Sequence, residues 1–167
     1  MLSDLQFKTF YSTSTDDIPQ NFYSLALHEA TSYDRVSGYF SSSSLAYYAN
    51  GIESLAINSG KLRLIVSHEL SKNDYDEIVS GYKHRESIIK EDIIKSLSIS
   101  NLSYQQKMNF SNLCYLIEIG LVDIKIGFTF EGLFHAKFGI FRDDFNNLVY
   151  FSGSLNETEA AFKRNYE

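Results

Sequence analysis

The sequence predicts an α/β protein, a mixed β-sheet flanked by helices on both faces. Three observations carry this. Helix-like and strand-like stretches alternate as far as Gly120, the pattern of chains that lay strands side by side through helical crossovers. Strand-like stretches then follow one another at 122–128, 134–141 and 148–152, which adds antiparallel neighbours to the sheet. Leu62-Arg63-Leu64-Ile65-Val66 is a nearly continuous apolar run, as expected of a strand covered on both faces.

In order, Thr15-Asp16-Asp17-Ile18-Pro19 is a helix start, with acids at the cap and Pro in the first turn. Phe22, Leu25 and Ala26 continue that helix to about Thr31. Residues 35–40 read as a short strand. Ser41 to Ser44 cap a second helix with Leu45, Tyr48, Ala49, Ile52, Leu55 and Ala56 on one face, stopped by Gly60. Two helices are expected near 74–97 and 104–119, the second stopped by Gly120. Val122, Ile124, Ile126 and Phe128 alternate with polar or small residues as a strand does. The strands at 134–141 and 148–152 form a hairpin through 143–147, and a closing helix runs from about Glu157.

The 167 residues suffice for one domain with a sizeable core. A single Pro and the lack of a Gly/Ser-rich or charged linker make 1–167 one domain. Cys114 is alone, so there is no disulfide framework and no cysteine metal cluster, and a cytoplasmic setting fits. The N-terminus lacks the basic-then-apolar layout of a signal peptide. No apolar run approaches the roughly 18 residues of a membrane span. The net charge of −6 counts against a broadly basic nucleic-acid binder, but local Lys and Arg matter more than the total. No P-loop and no paired-carboxylate metal motif is present, so no cofactor or metal is expected. No aromatic residues interleave with a basic run, so no stacking platform for single strands is evident.

The chemistry gathers near the C-terminus. In Phe134-His135-Ala136-Lys137-Phe138-Gly139-Ile140-Phe141, a strand would put Phe134, Ala136, Phe138 and Ile140 on one apolar face. His135 and Lys137 would share the other, a nucleophile beside a fixed cation. Phe151-Ser152-Gly153-Ser154-Leu155-Asn156 follows, a small turn and then Asn156 at an expected helix start, where backbone N–H groups favour an anion. Plainer readings stand beside these. His135 can be a half-buried, satisfied histidine and Lys137 a solvated one. Asn156-Glu157-Thr158-Glu159 can be a capping box, and Ser154 can be turn chemistry. His28, His68 and His84 read as structural or solvated.

These two motifs, in this order with a hydrophobic strand between them, resemble the phospholipase D superfamily, whose signature is His-x-Lys followed by Gly-Ser-x-Asn. Asn165-Tyr166-Glu167 is similar to the downstream Asn-x-Glu of its single-copy nucleases. The acid usual five residues after the Lys is replaced by Arg142, with Asp143 and Asp144 just beyond. The run at 36–42 is similar to the opening of phospholipase-D-like domains fused to bacterial helicases. The resemblance implies an α/β/α sandwich and a metal-independent phosphodiesterase, a DNA endonuclease module first of all. It casts His135 as nucleophile, Lys137, Asn156 and Ser154 as phosphate ligands, and Glu167 as the acid that orients His135. Because one motif supplies one histidine, it also implies a homodimer through the active-site face. The chain stops where a further strand is expected, so a longer DNA-processing polypeptide, such as a helicase or restriction protein, is the expected parent. The open alternatives are a catalytically silent DNA-binding or dimerisation module, and a phospholipid phosphodiesterase or transferase.

Overall fold

The centre of the sheet is β1 (Ser32–Ser37), with β2 (Lys61–Ser67) and β3 (Val122–Gly127) on one side and β4 (Lys137–Arg142) and β5 (Leu148–Ser152) on the other. The computed structural model describes residues 1–67, 69–90, 113–127 and 134–163, with backbone alone for 84–90. The strand order is β3-β2-β1-β4-β5. β1, β2 and β3 run parallel, and β4 and β5 return antiparallel, so the sheet is mixed. The parallel half follows from the helical crossovers and the antiparallel half from the hairpin. The α/β class read from the sequence is the class of the fold.

The helices are α1 (Leu25–Glu29), entered through a π-helical turn at Pro19–Ser24, and α2 (Ala49–Ile57), entered through 3-10 turns at Ser42–Tyr48. Then come α3 (Lys72–Lys90), α4 (Leu113–Glu118) and the short α5 (Glu159–Lys163). The expected helix spans at 91–97 and 104–112 lie outside the described residues. Gly60 was the expected stop of α2, but the left-handed residue is Ser59, at φ 54°. Gly60 is needed instead for close approach, since a Cβ there would run into the Leu55 side chain and the Thr31 carbonyl. Tyr82 of α3 caps the sheet at β3: its hydroxyl donates to Asp123 Oδ1 at 2.5 Å and accepts the Ile124 N–H at 2.9 Å.

One face of the sheet carries the core. Directly opposed residues point to the same face, so Tyr33 with Phe141, and Gly139 with Phe151, share it. Tyr33 and Phe141 stack at 4.3 Å, and Phe22, Tyr23 and Phe151 close around them edge-on or stacked. Such pairs add roughly 0.5–1.5 kcal/mol each beyond the area they bury. On the other face, among the described residues, Ile65, Phe138 and Tyr150 are exposed.

This corrects the expected facing of the fourth strand. The buried residues of β4 are Gly139 and Phe141, while Phe138 and Ile140 look to the opposite face. Lys137 opposes Ser37 and so continues the core-facing row to its open end. β4 also starts later than expected, so Phe134, His135 and Ala136 precede it as irregular chain. β1 starts and ends earlier than the expected 35–40. Gly38 and Tyr39 have left the sheet, and Phe40 makes a single parallel bridge to Glu157.

Candidate functional site

Antiparallel pairing puts the start of β4 beside the end of β1, and the end of β5 beside the start of β4. Both chemical motifs therefore arrive at one end of the sheet, the carboxyl end of its parallel strands. Ligands of α/β proteins bind at that end.

His135 sits there with its ring exposed. It lies against Gly38, where an added Cβ would be 3.0 Å from His135 Cα and 3.1 Å from its ring. Tyr39 meets the imidazole edge-on at 5.7 Å. Lys137 Nζ donates to the His135 carbonyl at 3.0 Å, which keeps the ammonium beside the histidine.

Asn156 reaches the same point from the other motif. Its Oδ1 accepts the Tyr39 N–H at 3.1 Å. That bond assigns the carbonyl oxygen as acceptor and leaves the two Nδ2 hydrogens as donors for an anion. Tyr39 thus links the two motifs, by its ring to His135 and by its backbone to Asn156. The helix-start role expected for Asn156 is not found. The N-cap of α5 is Thr158, whose Oγ1 accepts the Ala161 N–H at 3.1 Å, so neither the capping box nor a helix-end anion site falls on Asn156.

Gly153 and Ser154 form an exposed bend just after β5, and the Gly153 N–H donates to the Lys137 carbonyl at 3.4 Å. A Cβ on Gly153 would meet nothing within 4 Å, so the space before the bend is open. A groove of about 590 Å³ runs from Ser152 and Ser154 along β5 to Phe10 and Tyr11.

Below the loop lies an ion pair. Arg35, from the core-facing row of β1, donates from Nε to Glu157 Oε2 at 3.0 Å and from Nη2 to the Leu155 carbonyl at 2.5 Å. Arg35 is 2 % exposed and Glu157 is fully buried. Burial works against the guanidinium charge, but the Glu157 carboxylate that it pairs with outweighs this and holds the Arg35 pKa above its ordinary value. Burial pushes the Tyr23, Tyr33 and Tyr48 hydroxyls up, so they remain neutral beside the pair.

The fold therefore brings together His135, Lys137, Ser154 and Asn156. Glu167 and Asn165 lie outside the described residues, as does His68. Sequence reading missed Arg35, Gly38, Tyr39 and Glu157. A charged residue alternating with Tyr33 and Ser37 in β1 was the available signal for Arg35. Asp143, next to the substituted acid position, is structural: it closes the β4–β5 turn. Among the described residues, no three His, Cys, Asp or Glu side chains converge as metal ligands, and no helix is long and apolar enough to cross a membrane. In comparison with known proteins, no protein-family model and no curated protein matches this chain.

Proposed function

We propose that this domain is a metal-independent phosphodiesterase, a DNA endonuclease module that works through a phosphohistidine at a homodimer interface. The observation that carries the reading is the meeting of His135, Lys137 and Asn156 around Tyr39, from motifs about one strand apart in sequence. An exposed imidazole, an ammonium and an amide at one open strand end suit attack on a phosphodiester. The groove beside Ser154 supports a nucleic-acid strand as substrate, since exposed Phe10 lies along it where a base can stack.

In the first step the neutral His135 imidazole attacks phosphorus. A nitrogen–phosphorus bond forms and the bond to the leaving oxygen breaks. That oxygen takes a proton from the partner subunit's His135, present as imidazolium. In the second step the now neutral partner imidazole removes a proton from water. The water oxygen displaces His135, and the product phosphate leaves. Lys137, Asn156 and Ser154 hold the non-bridging oxygens, where charge develops, and the resemblance gives Glu167 the orientation of His135. Loss of one such donor costs on the order of 10²–10³ in rate in comparable sites. Two facing histidines require a two-fold dimer. A cytoplasmic setting, within a DNA-processing polypeptide such as a helicase or restriction protein, belongs to the same proposal; the lone Cys114 supports the compartment.

The test is cleavage of plasmid and oligonucleotide DNA in excess EDTA, wild type against His135→Ala. Cutting that survives EDTA and disappears in the variant is the expected result. Binding without turnover in both proteins would identify a silent DNA-binding module, and turnover of phospholipid vesicles alone would identify a lipid enzyme.

A further inference from the structure

The chemistry above makes no use of the ion pair beneath the site. Taking Arg35 and Glu157 out of water costs more than burying two apolar side chains of the same size, so stability alone is a weak reason for the pair. Its geometry supplies another. The guanidinium is rooted in the core: it extends from the central strand and packs over the Phe151 ring at 5.1 Å. Gly139 makes this possible, because a Cβ there would occupy the space of that ring. The working end of the guanidinium then takes two acceptors that flank Asn156. One is the carbonyl of the residue before it, Leu155, and the other is the carboxylate of the residue after it, Glu157.

Glu157 extends the hold to the other motif. Its N–H donates to Ser37 Oγ at 2.9 Å, and that hydroxyl donates to the Tyr39 carbonyl at 2.6 Å. Its carbonyl accepts the Ser41 N–H at 2.9 Å. Tyr39 is the residue that touches both Asn156 and His135. By contrast, Gly153 and Ser154 are exposed, and the Gly153 N–H reaches the Lys137 carbonyl through one long bond.

We propose that Arg35, acting through Glu157 and the Leu155 carbonyl, is the positioning residue of this site. A planar guanidinium with a fixed fork of donors sets both neighbours of Asn156 at once, which a lysine ammonium does not reproduce. It thereby fixes the amide of Asn156 and the Ser154 turn against His135 and Lys137. The consequence for catalysis rests on the phosphodiesterase reading; the positional role does not.

The decisive variant is Arg35→Met/Glu157→Met, which replaces the pair by apolar side chains and leaves no lone buried charge. Three quantities are read: thermal melting, amide hydrogen exchange at Tyr39, and kcat with KM for EDTA-resistant cleavage. The expected result is a folded protein in which Tyr39 exchanges at least about tenfold faster, as its acceptor on Asn156 loosens. In the same protein kcat falls on the order of 10²-fold, the cost of misplacing a reacting group by about 1 Å, with a smaller change in KM. A folded double variant with unchanged Tyr39 exchange and unchanged kcat overturns the proposal and leaves the pair a structural one. Should the double variant not fold, Arg35→Lys is read in the same way, since it keeps the charge opposite Glu157 but not the fork; unchanged exchange and kcat there also overturn it. If the wild type shows no cleavage that depends on His135, the phosphodiesterase reading fails, and Tyr39 exchange still decides the positional role.

Discussion

Gly38 has no side chain because His135 occupies the space beside it. Gly38→Ala places a methyl 3.0 Å from His135 Cα, so the histidine must shift by a few tenths of an ångström. His135 is exposed and can give way, so the melting temperature changes little while kcat of the proposed cleavage falls roughly tenfold or more. Gly139 is the opposite case, a buried position where the added methyl meets the Phe151 ring. Gly139→Ala is expected to destabilise the fold by about 1–3 kcal/mol in urea titration, the usual cost of overpacking. Glu157→Ala leaves the Arg35 charge buried and alone, and the same titration should show a loss of about 3–5 kcal/mol. At this scale legibility divides by sequence distance. His135, Lys137, Ser154 and Asn156 stand out because their spacing is local. Arg35 and Glu157 do not, because each acquires meaning only from a partner 122 positions away. Phe10 and Ser154 likewise come to line one groove only through folding.

Among the elements, the β4–β5 hairpin is held by one carboxylate. Asp143 accepts the N–H groups of Leu2 at 3.0 Å, Phe145 at 2.9 Å and Asn147 at 2.9 Å, and the Asn147 side-chain amide at 2.8 Å. Desolvation raises its pKa, but the bonds from Asn147, Leu2 and Phe145 together outweigh it and hold the carboxyl below its usual range. A depressed carboxyl contributes stability that is complete above the unfolded-state value, near 4, and is lost as the pH falls through the folded value. The melting temperature should therefore drop below about pH 4, and Asp143→Asn should melt lower at neutral pH with a shallower acid decline. Calorimetry across that range checks both. Strand positions were largely readable here, because alternation survives in β3 and β5. Their ends and facings were less so. The apolar residues of β4 suggested the wrong inward face, because the true one is occupied by Gly139 and Phe141 beneath a cluster of aromatic rings that only the fold assembles. The end of α2 was assigned to the glycine, although Ser59 takes the left-handed conformation and Gly60 meets a packing constraint.

For the molecule as a whole, the α/β class was legible from the order of helix-like and strand-like patterns, whereas the strand order was not, since no local signal says that β1 lies between β2 and β4. The proposed mechanism makes a prediction at this scale too. If each site needs two copies of His135, adding His135→Ala subunits to wild type should lower activity per wild-type subunit in proportion to the wild-type fraction after exchange. Activity that ignores the added subunits, or a strict monomer by sedimentation at micromolar concentration, would count against the shared site. The central place of β1 also has a bearing on biosynthesis. This strand leaves the ribosome early, yet its antiparallel neighbour and the counter-ion of its arginine are made about a hundred residues later. Until then the guanidinium cannot be dehydrated cheaply, so the sheet cannot close on that side. On the proposed function, a nascent or prematurely terminated chain is thereby kept without a working cleavage centre.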